Sequence, residues 1–180
     1  MLFIGAFNNS YWPKTAIEAA AEIVKIDEET GEKDIVFILA GDGDWMDALR
    51  VMSAVVPNVY LPGYVNNEEI YALLEVAKVG LITANGHFEA VPNKLFTYMS
   101  GGLPILSSLV GETKQLIDRE KIGINYYGLT ELINAIKMLY GDDDLHREMA
   151  YNAKKLFDSE YESSKLYGHY VDYVEKIAGR

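Results

Sequence analysis

Glu89-Ala90-Val91-Pro92-Asn93-Lys94-Leu95-Phe96-Thr97-Tyr98-Met99-Ser100-Gly101-Gly102-Leu103-Pro104-Ile105-Leu106-Ser107-Ser108 is the stretch from which the fold can be read. A loop over 85–91 passes into a short helix over 92–100. Pro92 suits its first turn, where the missing N–H would be unpaired anyway. Gly101 and Gly102 stop the helix, and residues 104–107 form a short apolar run of the kind a buried strand shows. Loop, helix, glycine stop and buried strand in so short a span imply a parallel sheet with helical crossovers.

The same alternation runs outward in both directions. Strands are expected at 2–6, 35–40, 59–61, 79–83 and 123–126, and helices at 13–26, 45–55, 66–77 and 113–119. A turn is expected at 30–33. The unbroken apolar run 35–40 fits a strand covered on both faces. Asn66 or Asn67 can cap its helix, with Glu68 and Glu69 at the positive end. From Thr130 onward the chain reads as helical, broken at Gly141, and Asp142-Asp143-Asp144 reads as a helix cap rather than a metal cluster. The last helix carries Leu166, Tyr167, Tyr170, Val171, Val174 and Ile177 at helical spacing. Packing against the domain is the expectation for this stripe, with an interface to a second domain as the sharper alternative.

Six strand–helix units with right-handed crossovers give one domain over 1–180. It is α/β, a Rossmann-like doubly wound parallel sheet with extra C-terminal helices. Ligands of such sheets bind beyond the carboxyl ends of the strands, where the strand order reverses. That directs attention to the loops 5–13, 41–44, 63–66, 85–94 and 107–112.

Composition narrows the function classes. A formal charge of −11 over 180 residues, with scattered Lys and Arg, argues against a nucleic-acid partner. The absence of cysteine excludes a disulfide framework and a thiolate metal site, and fits a reducing, cytoplasmic setting. No apolar run reaches the roughly 18 residues that span a bilayer. The apolar start 1–4 stops at Gly5, unlike a signal peptide. It opens a strand so abruptly that the chain is expected to be a fragment of a longer one.

Lys94, with Asn93, falls in the first turn of the 92–100 helix, at the ligand-binding edge. A lysine opposes the helix dipole there. Its position makes sense if an anion such as a diphosphate lies over the helix end, where amides, dipole and ammonium converge. The plainer alternative is a lysine extended into water. The loop from Gly5 to Ser10 is a second place for an anion, and Lys14 could add charge to it; a plain turn with a surface lysine is equally compatible. Glu89 could accept bonds from sugar hydroxyls or be a solvated loop charge. His87 is an acid–base candidate without a visible partner, and His146 and His169 show no metal-ligand spacing. No nucleophile elbow or Ser–His–Asp pattern is present.

In order, a strand with Gly5, Ile-Leu-Ala-Gly-Asp-Gly (38–43), Val-Tyr-Leu-Pro-Gly-Tyr-Val (59–65), the 92–108 block and Gly-Ile-Asn-Tyr (123–126) resemble the C-terminal half of family 4 retaining glycosyltransferases of the GT-B fold. The resemblance implies a domain that binds a nucleoside-diphosphate sugar, a UDP-sugar or another, for transfer to a glycan, polysaccharide or lipid-linked acceptor. No cofactor is implied beyond that donor. The acceptor would lie on a separate N-terminal domain, by which the protein could also sit at the inner membrane face. The isolated domain is expected to be inactive.

Residue by residue, the resemblance gives Lys94 the donor diphosphate and Gly5 the loop beside the phosphates. Tyr64 and Val65 would line the nucleobase pocket. Glu89 matches the first of the family's paired glutamates, which faces the donor sugar. The second, which holds the ribose, falls at Thr97. Ala6 stands where the family carries a basic residue after its glycine, and Lys14 is the candidate substitute. These departures favour one alternative, a sugar- or nucleotide-binding module with a degenerate site; a second alternative, a sugar-nucleotide epimerase of related fold, would need acid–base residues in the cleft, for which His87 is the candidate.

Overall fold

The structure, a computed structural model, describes residues 1–30, 35–86 and 88–179. The turn expected at 30–33 falls almost wholly outside them, as does His87. Six parallel strands form one sheet in the order β3-β2-β1-β4-β5-β6. These are β1 (Leu2–Ile4), β2 (Phe37–Ala40), β3 (Val59–Gly63), β4 (Gly80–Ile82), β5 (Ile105–Ser107) and β6 (Gly123–Asn125). The order reverses between β1 and β4, so the doubly wound arrangement holds and the switch point lies there.

Helices alternate with the strands: α1 (Lys14–Thr30), α2 (Met46–Ser53), α3 (Asn67–Val76), α4 (Asn93–Ser100), α5 (Glu112–Glu120) and α6 (Gly128–Gly141). α7 (Asp143–Leu156) and α8 (Ser163–Ile177) follow, joined by a π-helical turn, Phe157–Tyr161, that the sequence reading did not anticipate. Asn66 caps α3 in a capping box with Glu69, and the Asp142 side chain caps α7 by accepting from the Leu145 N–H.

Successive strand residues point to opposite faces, and the core divides accordingly. Phe3, Phe37, Leu39, Leu81 and Leu106 join one apolar cluster with residues of α1, α2 and α6. Leu2, Ile82 and Ile105 join the other, with residues of α3, α4 and α5. Strands buried on both faces read as unbroken apolar runs, which is why they were legible.

At the switch point the ladder is thin, with Leu2 opposite Gly80 the one register pair between β1 and β4. Tyr98 of α4 fills the gap. Its hydroxyl accepts from the Ile4 N–H at 2.8 Å and donates to the Leu81 carbonyl at 3.1 Å. A Cβ on Gly80 would sit 2.4 Å from the Tyr98 ring, so glycine there lets α4 approach the sheet. The small residues at the end of α4 do not make this contact: Gly101 abuts Leu74 of α3, and Gly102 faces Ala150 and Lys154 of α7.

The expected packing of the last helix is corrected. α8 has no buried residue; Tyr167 is 72% exposed and Tyr170 66%, and Leu166, Val171, Val174 and Ile177 are exposed as well. Its apolar spacing therefore forms an open face. No helix is long and apolar enough to cross a membrane among the described residues.

Candidate functional site

The loops beyond β1 and β4 meet at the switch point. Gly5 N donates to the Ala40 carbonyl and Phe7 N to that of Asp42, which fixes the start of the first loop against the 41–44 loop. The loop then crosses towards β4: Trp12 N donates to Thr83 O at 3.1 Å, and Asn85 N to Ser10 O at 3.2 Å. Asn8 shapes this crossing, its Oδ1 accepting from the N–H groups of Ser10 and Tyr11. Residues 8–12 thus form a strap over the place where the sheet opens.

Lys94 lies beneath the strap. The first turn of α4 has no side-chain cap, because its N-cap residue is Pro92. The Lys94 side chain does not extend into water; only 9% of the residue is exposed. Its Nζ sits 4.0 Å from the Phe3 ring centroid and 3.9 Å from that of Tyr11. It has no hydrogen-bond partner among the described residues. Burial pushes its pKa from 10.5 down to about 7, since desolvation penalises the charged form. Cation–π contacts compensate only part of that cost.

The structure brings Gly5 and Lys94 together, for a Cβ on Gly5 would stand 2.7 Å from the Nζ. Asn93 is exposed at the helix start, where its carbonyl accepts from Thr97 Oγ1 at 3.2 Å. Thr97 also lines a groove of about 280 Å³ with Asn67, Tyr71 and Phe157. Tyr64, 79% exposed, and the half-buried Val65 end shortly before Asn67, so the nucleoside candidates flank the start of α3. Glu89 is exposed and lies over the N-terminal end of α5, its carboxyl close to Gly111. A carboxylate is favoured at that positive end.

Lys14 does not join this group. It pairs with Glu18 one turn along α1, at 3.2 Å on the helix surface. His146 bonds through Nε2 to the Lys78 carbonyl, away from the switch point.

The chemistry available is that of an anion site. A buried, unpaired ammonium lies beside a glycine and an uncapped helix start, at the ligand-binding edge of a doubly wound sheet. The family model for glycosyl transferases, group 1, matches residues 1–142. The chain belongs to the group 1 glycosyl transferases.

Solved structures agree on the fold. Anabaena Alr3699/HepE, solved in complex with UDP, superposes with a TM-score of 0.82 at 15% identity, over 97% of this chain and 48% of that one. The C-terminal domain of the group 1 family protein LpcC from Francisella tularensis gives 0.75 at 15% identity, covering 90% of this chain and 85% of that domain. Sucrose-phosphate synthase from Thermosynechococcus elongatus gives 0.79 at 18%, covering 99% and 45%. The chain thus spans under half the length of HepE and of the synthase. Comparison with curated protein sequences finds no match.

Within this glycosyl transferase fold, the sequence reading missed Phe3 and Tyr11, the two rings that enclose Lys94, and the bridging hydroxyl of Tyr98. Phe3 is indistinguishable from a core residue by pattern. Tyr11-Trp12 in an otherwise polar loop was the available signal.

Proposed function

We propose that the chain is the donor-binding half of a retaining glycosyltransferase, acting in the cytoplasm on a nucleoside-diphosphate sugar, most simply a UDP-sugar. The observation that carries this is the unpartnered Lys94 ammonium beside Gly5. A buried charge without a partner is costly, and a diphosphate over the α4 start would supply the missing counter-charge. The uncapped amides of α4 and the helix dipole add to it.

In this assignment the diphosphate rests against Gly5, Asn93 and Lys94, and the ribose against Thr97. The base lies towards Tyr64 and Val65, and the sugar faces Glu89. Breaking the sugar–phosphate bond puts negative charge on the leaving diphosphate, which Lys94 and the amides stabilise. No cofactor enters the scheme. Lys14, held by Glu18, is left with no part in it.

The acceptor belongs to a second domain, against which the open apolar face of α8 would pack. The chain alone would then bind donor without turning it over, because the two substrates are not held together. HepE was solved with UDP and with UDP-glucose, which supports a uridine nucleotide as the first ligand to try.

Thr97 favours a second assignment, a binding module with a degenerate site. Its hydroxyl is spent on the Asn93 carbonyl, and it lacks the charge that would hold a ribose firmly. Calorimetric titration with UDP, UDP-glucose, ADP and GDP separates the two. Saturable binding of one of them supports the donor domain, and binding of none supports the degenerate module.

A further inference from the structure

Among the described residues none hydrogen-bonds the Lys94 Nζ, which lies against the rings of Phe3 and Tyr11. Phe3 closes one side of the ammonium from within the sheet, where it is fully buried. Tyr11 closes the other side from the strap and is only half-buried. A phosphate oxygen therefore cannot touch the Nζ while the Tyr11 ring stays in place. Phe3 is fixed in a β-strand, whereas Tyr11 lies in a loop and packs, half-buried, on the margins of the two core clusters. Two backbone bonds join the strap to the β4 end, through Trp12 N and Asn85 N, and the Tyr11 ring meets Phe88 edge-on at 5.8 Å.

We propose that residues 8–12 are a gate: closed, Tyr11 stands in for the missing anion on Lys94, and an arriving diphosphate displaces the ring and takes its place. This rests on the assignment of Lys94 to the donor diphosphate. The closed form satisfies the ammonium in part through cation–π contact, so the site tolerates a buried lysine between encounters. Opening exchanges that contact for an ion pair with charge-assisted hydrogen bonds, the stronger partner. A ligand shifts such an equilibrium only through its preference for the open form, and a diphosphate has that preference because only the open form offers it the ammonium.

The strap carries its own reporter. The chain has two tryptophans; Trp12 lies on the strap and packs edge-on against Trp45, ring centroids 4.8 Å apart. Lifting the strap separates them. In a Trp45→Phe chain the emission comes from Trp12 alone, and UDP is expected to shift it with the midpoint seen by calorimetry. Tyr11→Ala removes the competing ring and is expected to bind UDP about tenfold more tightly, the size of a cation–π contact between the exposed and the desolvated limits. Tyr11→Phe, which keeps a ring, should stay close to the unaltered chain. Binding in Tyr11→Ala alone would mean the same gate more firmly shut.

An unmoved Trp12 emission on binding overturns the gate, as does an affinity unchanged or weakened in Tyr11→Ala. If Tyr11→Ala does not fold, the Trp12 signal decides. UDP binding that Lys94→Met reduces, with Trp12 unmoved, leaves the diphosphate assignment standing and removes only the gate. Binding that Lys94→Met leaves untouched, or no binding in any variant, overturns the diphosphate assignment and the gate with it.

Discussion

Gly5 and Lys94, far apart in the chain, meet so closely that a Cβ on Gly5 would stand 2.7 Å from the Lys94 Nζ. Gly5 also has φ at +140°, a conformation that side chains rarely adopt. Gly5→Ala should therefore cost about 1–3 kcal/mol of stability and weaken nucleotide binding by pushing the lysine out of position. Urea unfolding and a UDP titration of the same variant check both effects.

Lys94 should destabilise the empty fold. Lys94→Met keeps the length and packing of the side chain while removing a buried, unpaired charge. Replacing buried charge by a well-packed apolar chain often stabilises by about 1–4 kcal/mol. Thermal or urea unfolding at pH 6 should place Lys94→Met above the unaltered chain, while its nucleotide affinity falls. Such an opposition of stability and binding is what a functional site shows.

The same lysine makes stability pH-dependent with a definite sign. Unfolded, it titrates near its ordinary 10.5; folded, burial holds it near 7. Between these values the unfolded chain binds more protons, so stability rises with pH. The penalty is complete below about pH 7 and gone above about 10.5. The advantage of Lys94→Met over the unaltered chain should accordingly be largest near pH 6 and shrink towards pH 10. Unfolding curves of both at each pH test this, and an advantage independent of pH would contradict it.

Tyr98 closes the weak seam between β1 and β4. Tyr98→Phe leaves the Ile4 N–H and the Leu81 carbonyl without the hydroxyl they share. Leaving a buried donor unsatisfied costs about 1–3 kcal/mol. A lowered urea midpoint with an unchanged slope is the expected result.

Thr97→Glu restores a carboxylate at the edge of the Asn67–Tyr71 groove. If the ribose lies there, charge-assisted bonds should tighten UDP binding several-fold. Equal affinities would place the ribose elsewhere.

The sheet was legible in the sequence because β2, β4 and β5 are short apolar runs, largely buried on both faces, and because Gly101 ends α4 just before β5. Strand ends were not: β1 stops at Ile4, short of Ala6, and β3 runs on to Gly63. Lys94 was found because a lysine at a helix start runs against the dipole. Its enclosure was not, since the contact of Phe3, Tyr11 and Lys94 depends on tertiary packing between residues distant in the chain. The stripe on α8 was recognised, yet a periodic pattern cannot say whether the surface that covers it lies in the same domain.

Calorimetric titration of UDP into the chain and into Lys94→Met at low salt tests the central claim most directly. A diphosphate held by Lys94 predicts saturable binding to the unaltered chain and a loss of about tenfold or more in the variant, the size of one charge-assisted contact. Equal affinities for the two chains would contradict it.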